Sequence, residues 1–110
     1  MINRFSIKPL SKTSIILSNV ASGKKNPDLV ITDCRVLSVY TERLLNNKEL
    51  WISNGRIAAI KKKGESKYFF NNNYETYDAK NAIIAPGLID PHMHIESSMM
   101  TGCAYAEPAL

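Results

Sequence analysis

Along residues 11–21 the apolar positions Ile15, Ile16, Val20 and Ala21 fall near helical spacing, and Ser11 or Thr13 is placed to cap the start. Gly23 then stops the helix, and a charged turn runs through to Pro27. After Pro27 the pattern shortens. Leu29-Val30-Ile31 and Val36-Leu37-Ser38-Val39-Tyr40 are β-branched-rich runs split by Thr32-Asp33, predicting strand, turn, strand. Glu49 to Ser53 and Arg56 to Ile60 flank Asn54-Gly55. That dipeptide between apolar runs signals a hairpin, because both central residues of a type I′ turn need positive φ.

The stretch from Lys61 to Asn73 reads as a polar connection. Strand character resumes at Tyr77-Asp78-Ala79 and Ala82 to Ala85, with Lys80-Asn81 between, and Pro86-Gly87 turns the chain before a further strand from Leu88. The expectation is a mainly β unit, a small β-sandwich or partial barrel, behind a short N-terminal helix. Three sections follow: a helical segment at 1–27, the β-sandwich at 28–86, and at 87–110 the opening of a second domain too short to fold alone.

Composition narrows the class without naming a chemistry. With 45% hydrophobic and 22% charged residues over 110 positions, the chain has the balance of a globular protein. No apolar run approaches the roughly 20 residues of a membrane span, and Met1 to Phe5 does not open a secretory signal, so the expected location is cytoplasmic, with no membrane partner. Cys34 and Cys103 stand far apart and form no CxxC; both are expected as reduced thiols rather than a disulfide or a structural zinc site. The net charge of +4 gathers at Lys24-Lys25 and Lys61-Lys62-Lys63. Neither cluster has the stripe or interleaved aromatics of a nucleic-acid footprint, and no such partner is expected.

Candidate chemistry sits at the end. His92 and His94, the only two histidines, lie two apart after an apolar approach. Residues two apart on an extended strand share a face, so Asp90, His92, His94 and Glu96 point one way, with Ile89, Met93 and Ile95 on the other. Two imidazoles so placed can converge on one zinc, iron or manganese ion. Two ligands do not complete a site, and the rest must come from nearby carboxylates such as Glu96 or from other polypeptide. Asp90 is read either as orienting a ligand or as a strand-end carboxylate satisfied by backbone, and Ser97 and Ser98 as a loop start able to cap a helix.

The run Pro86-Gly87-Leu88-Ile89-Asp90-Pro91-His92-Met93-His94, after a small β module, resembles the way the amidohydrolase superfamily opens its (β/α)8 barrel. Within it, His92-Met93-His94-Ile95-Glu96-Ser97-Ser98-Met99 resembles the HxHIESSM signature of the adenine deaminase family. Asn54 to Ile60 and Ala85 to Asp90 are similar to that family's hairpin and barrel approach, which many amidohydrolases share. Asp90-Pro91 also suits the dihydropyrimidinase and dihydroorotase type, and Thr101 to Tyr105 is less typical of the adenine deaminases.

The resemblance implies a urease-like composite β domain leading into the first strand of a truncated TIM-type barrel. It implies hydrolytic deamination of adenine to hypoxanthine and ammonia by a metal-activated hydroxide, in purine salvage. It further implies a binuclear divalent centre of manganese or iron, with zinc also suitable, His92 and His94 as metal ligands, and Glu96 as the catalytic candidate. Glu96 is open to three roles: orienting the site, touching substrate or moving a proton. A homodimer or larger homo-oligomer is expected of the whole enzyme, and the 110 residues alone are expected to be inactive. Two readings stand against it, a cyclic-amide hydrolase and a non-catalytic truncated β module. The zinc deaminases acting on cytidine or single-stranded nucleic acid are a different chemistry, because neither Cys34 nor Cys103 supplies the P-C-x-x-C that follows their H-x-E.

Overall fold

The computed structural model describes residues 7–71, 73–89, 91, 92 and 94. Helix α1 (Leu10–Ala21) leads into strands β1 (Leu29–Ser38), β2 (Arg43–Ser53) and β3 (Arg56–Lys62). A short helix α2 (Glu65–Phe69) follows, then β4 (Glu75–Asp78) and β5 (Ile83–Ile84). The unit is mainly β with an N-terminal helix, as the pattern predicts. Among the described residues, however, the strands form one five-stranded mixed sheet rather than a sandwich.

β1 is the centre of that sheet. It pairs antiparallel with β2 on one side, and β2 continues antiparallel to β3 through the expected hairpin. Asn54 and Gly55 take φ of 53° and 70°, as a type I′ turn requires. The Asp28 carboxylate accepts a hydrogen bond from the Asn54 N–H at 2.7 Å and so ties the turn to the start of β1.

On its other side β1 meets β4 and then β5, both parallel to it. The turn predicted at Thr32-Asp33 is instead a bulge inside one continuous strand, with Asp33 at φ 51° and register shifts against β2 on both sides of Cys34. The break that does exist lies opposite, where Lys80 and Asn81 take φ of 50° and 62°. Three backbone bonds bridge the irregularity: Ala79 N–H to the Thr32 carbonyl, Asn81 N–H to Asp33, and Arg35 N–H to Ala82. The two distortions match, so the sheet loses little pairing where both occur.

One face of the sheet carries the helices. Val20 of α1 packs with Val30, Trp51 and Phe70, all buried, with Ala58, Ala59 and Tyr74 around them. Phe70 and Phe69 meet the Trp51 ring edge-on at centroid distances of 4.8 and 6.1 Å, and the Lys61 ammonium lies 5.1 Å from its centroid. Thr13, expected as a cap, is buried within α1, where its hydroxyl faces the carbonyls of Pro9 and Leu10. Pro9 occupies the cap position and no side chain caps the helix. Ile15 points outward at 76% exposure, so the helix stripe runs through Thr13 and Val20.

The far end of α1 stops where expected. Gly23 has φ +80°, and Lys24 N–H and Gly23 N–H return to the carbonyls of Asn19 and Val20, a Schellman arrangement. A β-carbon at Gly23 would lie 2.7 Å from the Phe69 ring. Gly23→Ala is therefore expected to lower stability by about 1–3 kcal/mol, combining left-handed backbone strain with a displaced ring. Urea unfolding of the variant beside wild type measures it.

The polar connection predicted from Lys61 to Asn73 is shorter than expected. β3 runs on to Lys62, α2 occupies the middle, and Phe70 is buried. The tertiary cause is Glu49, described below. On the sheet's second face Cys34, Val36 and Leu50 are buried against Ile31, Leu45, Ala79 and Ile84, and no helix covers them among the described residues.

Candidate functional site

The histidine pair lies past β5 on a stretch that leaves the sheet. Ala85 to Ile89 form no strand, and Leu88 and Ile89 are 104% and 87% exposed, so the predicted strand from Leu88 is not seen in its described part. Its intended partners for the other face, Met93 and Ile95, lie outside the described residues, as do Asp90, Glu96, Ser97, Ser98 and Cys103.

His92 and His94 are both exposed and are brought together. Their Nε2 atoms lie 3.0 Å apart, with ring centroids at 5.0 Å and planes inclined by 63°. Two neutral imidazoles meeting Nε2 to Nε2 need a proton on one of them, or a cation that both lone pairs face. Ligands about 2.1 Å from one ion and about 90° apart would stand roughly 3.0 Å from each other. The pair therefore fits neighbouring positions on one metal. Among the described residues no cluster of three His, Cys, Asp or Glu side chains accompanies it.

A second polar cluster escaped the sequence reading. Glu49 is 1% exposed and lies on the helix-bearing face of β2. Its Oε1 accepts the Trp51 indole N–H at 2.8 Å and the Ser66 backbone N–H at 2.7 Å, while Oε2 accepts the Gly64 N–H at 2.9 Å. These bonds satisfy the first N–H groups of α2 in place of an N-cap side chain, which explains why a helix forms there. The sequence signal is a carboxylate placed two residues before Trp51, on the same face of the strand. Beside it a cavity of about 320 Å³ holds the Lys63–Asp33 ion pair at 3.0 Å. Both Glu49 oxygens are already engaged, so the cluster reads as structural.

Cys34 behaves as expected of a buried thiol. Its Sγ–H donates to the Lys48 carbonyl at 3.3 Å. Burial first, then the nearby Glu49 and Asp33 carboxylates, push its pKa above the ordinary 9.0. Its contribution to stability is full below that ordinary value and is lost as pH rises through the raised one. Alkylation of Cys34 in the native protein is expected to lag an unfolded control most clearly near pH 8–9, as rates followed by mass spectrometry will report.

No established family profile matches the chain. Over 109 residues, 99% of the chain, it is 56% identical to adenine deaminase 2 of Bradyrhizobium sp. (strain ORS 278). It is similar to adenine deaminases along nearly its whole length. Adenine deaminase 3 of Rhizobium johnstonii is 55% identical over the same 109 residues, and an adenine deaminase of Clostridium botulinum 42% over 106. The chain spans only 18% of the length of the Bradyrhizobium and Rhizobium adenine deaminases and 17% of the clostridial one. Among solved structures, a Bacillus thuringiensis protein aligns at 21% identity and a TM-score of 0.45, covering 64% of this chain and 92% of that one. That overlap is too loose to carry an argument. No helix among the described residues is long and apolar enough to cross a membrane.

Proposed function

We propose that this chain is the N-terminal part of an adenine deaminase and carries the first two ligands of its metal centre. The observation that carries the reading is 56% identity to an adenine deaminase over 99% of the chain. The 3.0 Å approach of the two Nε2 atoms supports the ligand assignment. In this reading the small β unit leads into a (β/α)8 barrel whose remaining ligands lie in the polypeptide beyond the match.

A divalent cation, manganese or iron with zinc also suitable, would lower the pKa of water so that hydroxide, the nucleophile for C6 of adenine, is available at neutral pH. His92 and His94 hold it through Nε2 in their neutral forms. They bring no negative charge and would reduce the cation's polarising power less than carboxylate ligands would. Glu96, two residues further, moves the proton between the attacking water and the departing ammonia. Asp90 holds a ligand in orientation. The enzyme works in the cytoplasm as a homo-oligomer, on a free purine base.

The test is ammonia release from adenine by the polypeptide extended to its relatives' full length and loaded with each metal in turn. Turnover of adenine with hypoxanthine as product is the expected result. Hydrolysis of a cyclic amide with adenine untouched would move the assignment to the dihydropyrimidinase type. The 110 residues alone are expected to release no ammonia, because two histidines leave the centre incomplete.

A further inference from the structure

The segment that carries the histidines is tied to the sheet by a short pairing. β5 is two residues long and sets Ile83 and Ile84 against Arg35 and Val36 of β1, and no strand follows from Ala85 to Ile89. The place where that segment leaves the sheet, and the way its side chains face, therefore follow from the register of β5 on β1. A slip of one residue would move the chain by about 3.3 Å and turn its side chains to the opposite face.

That register contains a surplus. Between the Thr32–Asp78 pair and the Arg35–Ile83 pair, β1 advances three residues while its partner advances five. The two extra residues are taken up in the turn Ala79-Lys80-Asn81-Ala82, closed by the Ala82 N–H on the Ala79 carbonyl at 2.9 Å. Both central residues are left-handed without being glycine, Lys80 at φ 50° and Asn81 at φ 62°. Backbone of that kind persists only where its surroundings hold it.

Upstream, main chain holds the turn: the Ala79 and Asn81 N–H groups donate to the carbonyls of Thr32 and Asp33. Downstream, Arg35 holds it twice. Its backbone N–H donates to the Ala82 carbonyl at 2.9 Å, and its Nε–H donates to the Asn81 carbonyl, also at 2.9 Å. One residue of β1 thus fixes the two successive carbonyls that join the turn to β5.

We propose that Arg35 is a positioning residue for the histidine pair. Its Nε–H keeps the two-residue surplus upstream of Ile83, so that His92 and His94 leave the sheet at one place and with one facing. The inference rests on the metal reading above. The Arg35 bond to Asn81 is exposed, so water can replace it and it adds little to overall stability. It decides instead between registers of nearly equal energy, a choice that a two-residue pairing leaves open.

The experiment uses the Bradyrhizobium adenine deaminase with its matched 109 residues replaced by this chain. Arg35→Met keeps much of the side chain's bulk and removes the donor. Arg35→Gln also loses the charge but sets an amide N–H at the same number of bonds from Cα as Nε. Arg35→Met is expected to speed hydrogen exchange at residues 79–84 about tenfold or more and to weaken cobalt binding about tenfold or more. The visible spectrum of the bound cobalt should change with it, while the thermal midpoint moves by less than about 3 °C. Arg35→Gln is expected to stay within about threefold of the unaltered chimera in exchange and in affinity.

Unchanged exchange at residues 79–84 in Arg35→Met overturns the register lock. Faster exchange there with cobalt affinity and spectrum unchanged overturns the link to the histidines. Equal losses in Arg35→Met and Arg35→Gln overturn the role of the donor, and so does a midpoint lowered by more than about 10 °C in Arg35→Met, the mark of a residue that serves stability. An unaltered chimera that binds no metal sinks the metal reading instead, and the exchange measurement then decides the register lock by itself.

Discussion

Glu49→Ala is expected to destabilise the domain by about 3–5 kcal/mol, a large part of the 5–15 kcal/mol that a small domain has in total. The Glu49 carboxylate sits inside the sheet–helix junction at 1% exposure and accepts three N–H bonds. Alanine leaves the Ser66 N–H and the Trp51 indole N–H buried without an acceptor, each costing about 1–3 kcal/mol, and opens a void beside them. Gly64 lies at the surface, so its part-buried N–H adds less. Glu49→Gln keeps the shape and one acceptor oxygen but turns an NH₂ group toward N–H donors, so an intermediate loss is expected.

The effect should be local before it is global. α2 has no other cap, and its Phe69 and the following Phe70 are the partners of the Trp51 ring. Thermal unfolding of Glu49→Ala should show a midpoint lower by at least about 15 °C, and hydrogen exchange should rise first at residues 64–70. Trp51→Ala removes the donor and the ring together, and the double variant should cost well under the sum of the two. A Glu49→Ala protein within about 1 kcal/mol of wild type would mean that the buried network contributes nothing net.

The second large effect concerns His92 and His94. In the polypeptide extended to its relatives' length, His92→Ala and His94→Ala are each expected to weaken metal binding beyond the roughly 10–100-fold that follows loss of a group merely supporting a ligand. Adenine turnover should fall in parallel, while the melting of the β unit stays within about 0.5 kcal/mol of wild type, because both side chains are exposed. Titration calorimetry with manganese or zinc gives the affinity, and circular dichroism gives the fold. Metal affinity of the unaltered protein should also fall as pH is lowered, since protons compete for the same nitrogen lone pairs. Unchanged metal content in both variants would remove the pair from the centre.

Features set by a residue's own conformational needs were readable in the chain itself. Asn54-Gly55 turns because both residues tolerate positive φ, and Gly23 ends α1 because a left-handed residue is needed to close its last carbonyls. The histidine spacing and the run after it resemble the adenine deaminases within a dozen residues, and relatives that match almost the whole chain are named adenine deaminase.

What was not readable depends on partners far away in sequence. Asp33 and Lys80-Asn81 each resemble a turn locally, and only their opposition across β1 makes one a bulge and the other a break. α2 is five residues long and too short to declare itself by periodicity; it exists because Glu49, fifteen or more residues away, receives its N–H groups. The single sheet seen among the described residues, in place of a sandwich, has the same origin. Alternation says that a strand has two apolar sides, as β2 does at Trp51 and Leu50, but not what covers each. Here α1, Phe69 and Phe70 cover one, and a groove lined by Ile57, Ile60 and Ile84 marks the other. The sequence by itself determined the Asn54-Gly55 turn and the end of α1, because those are encoded within a few residues. Only the tertiary structure decided pairing, burial and the open face, because those depend on which distant side chains arrive there.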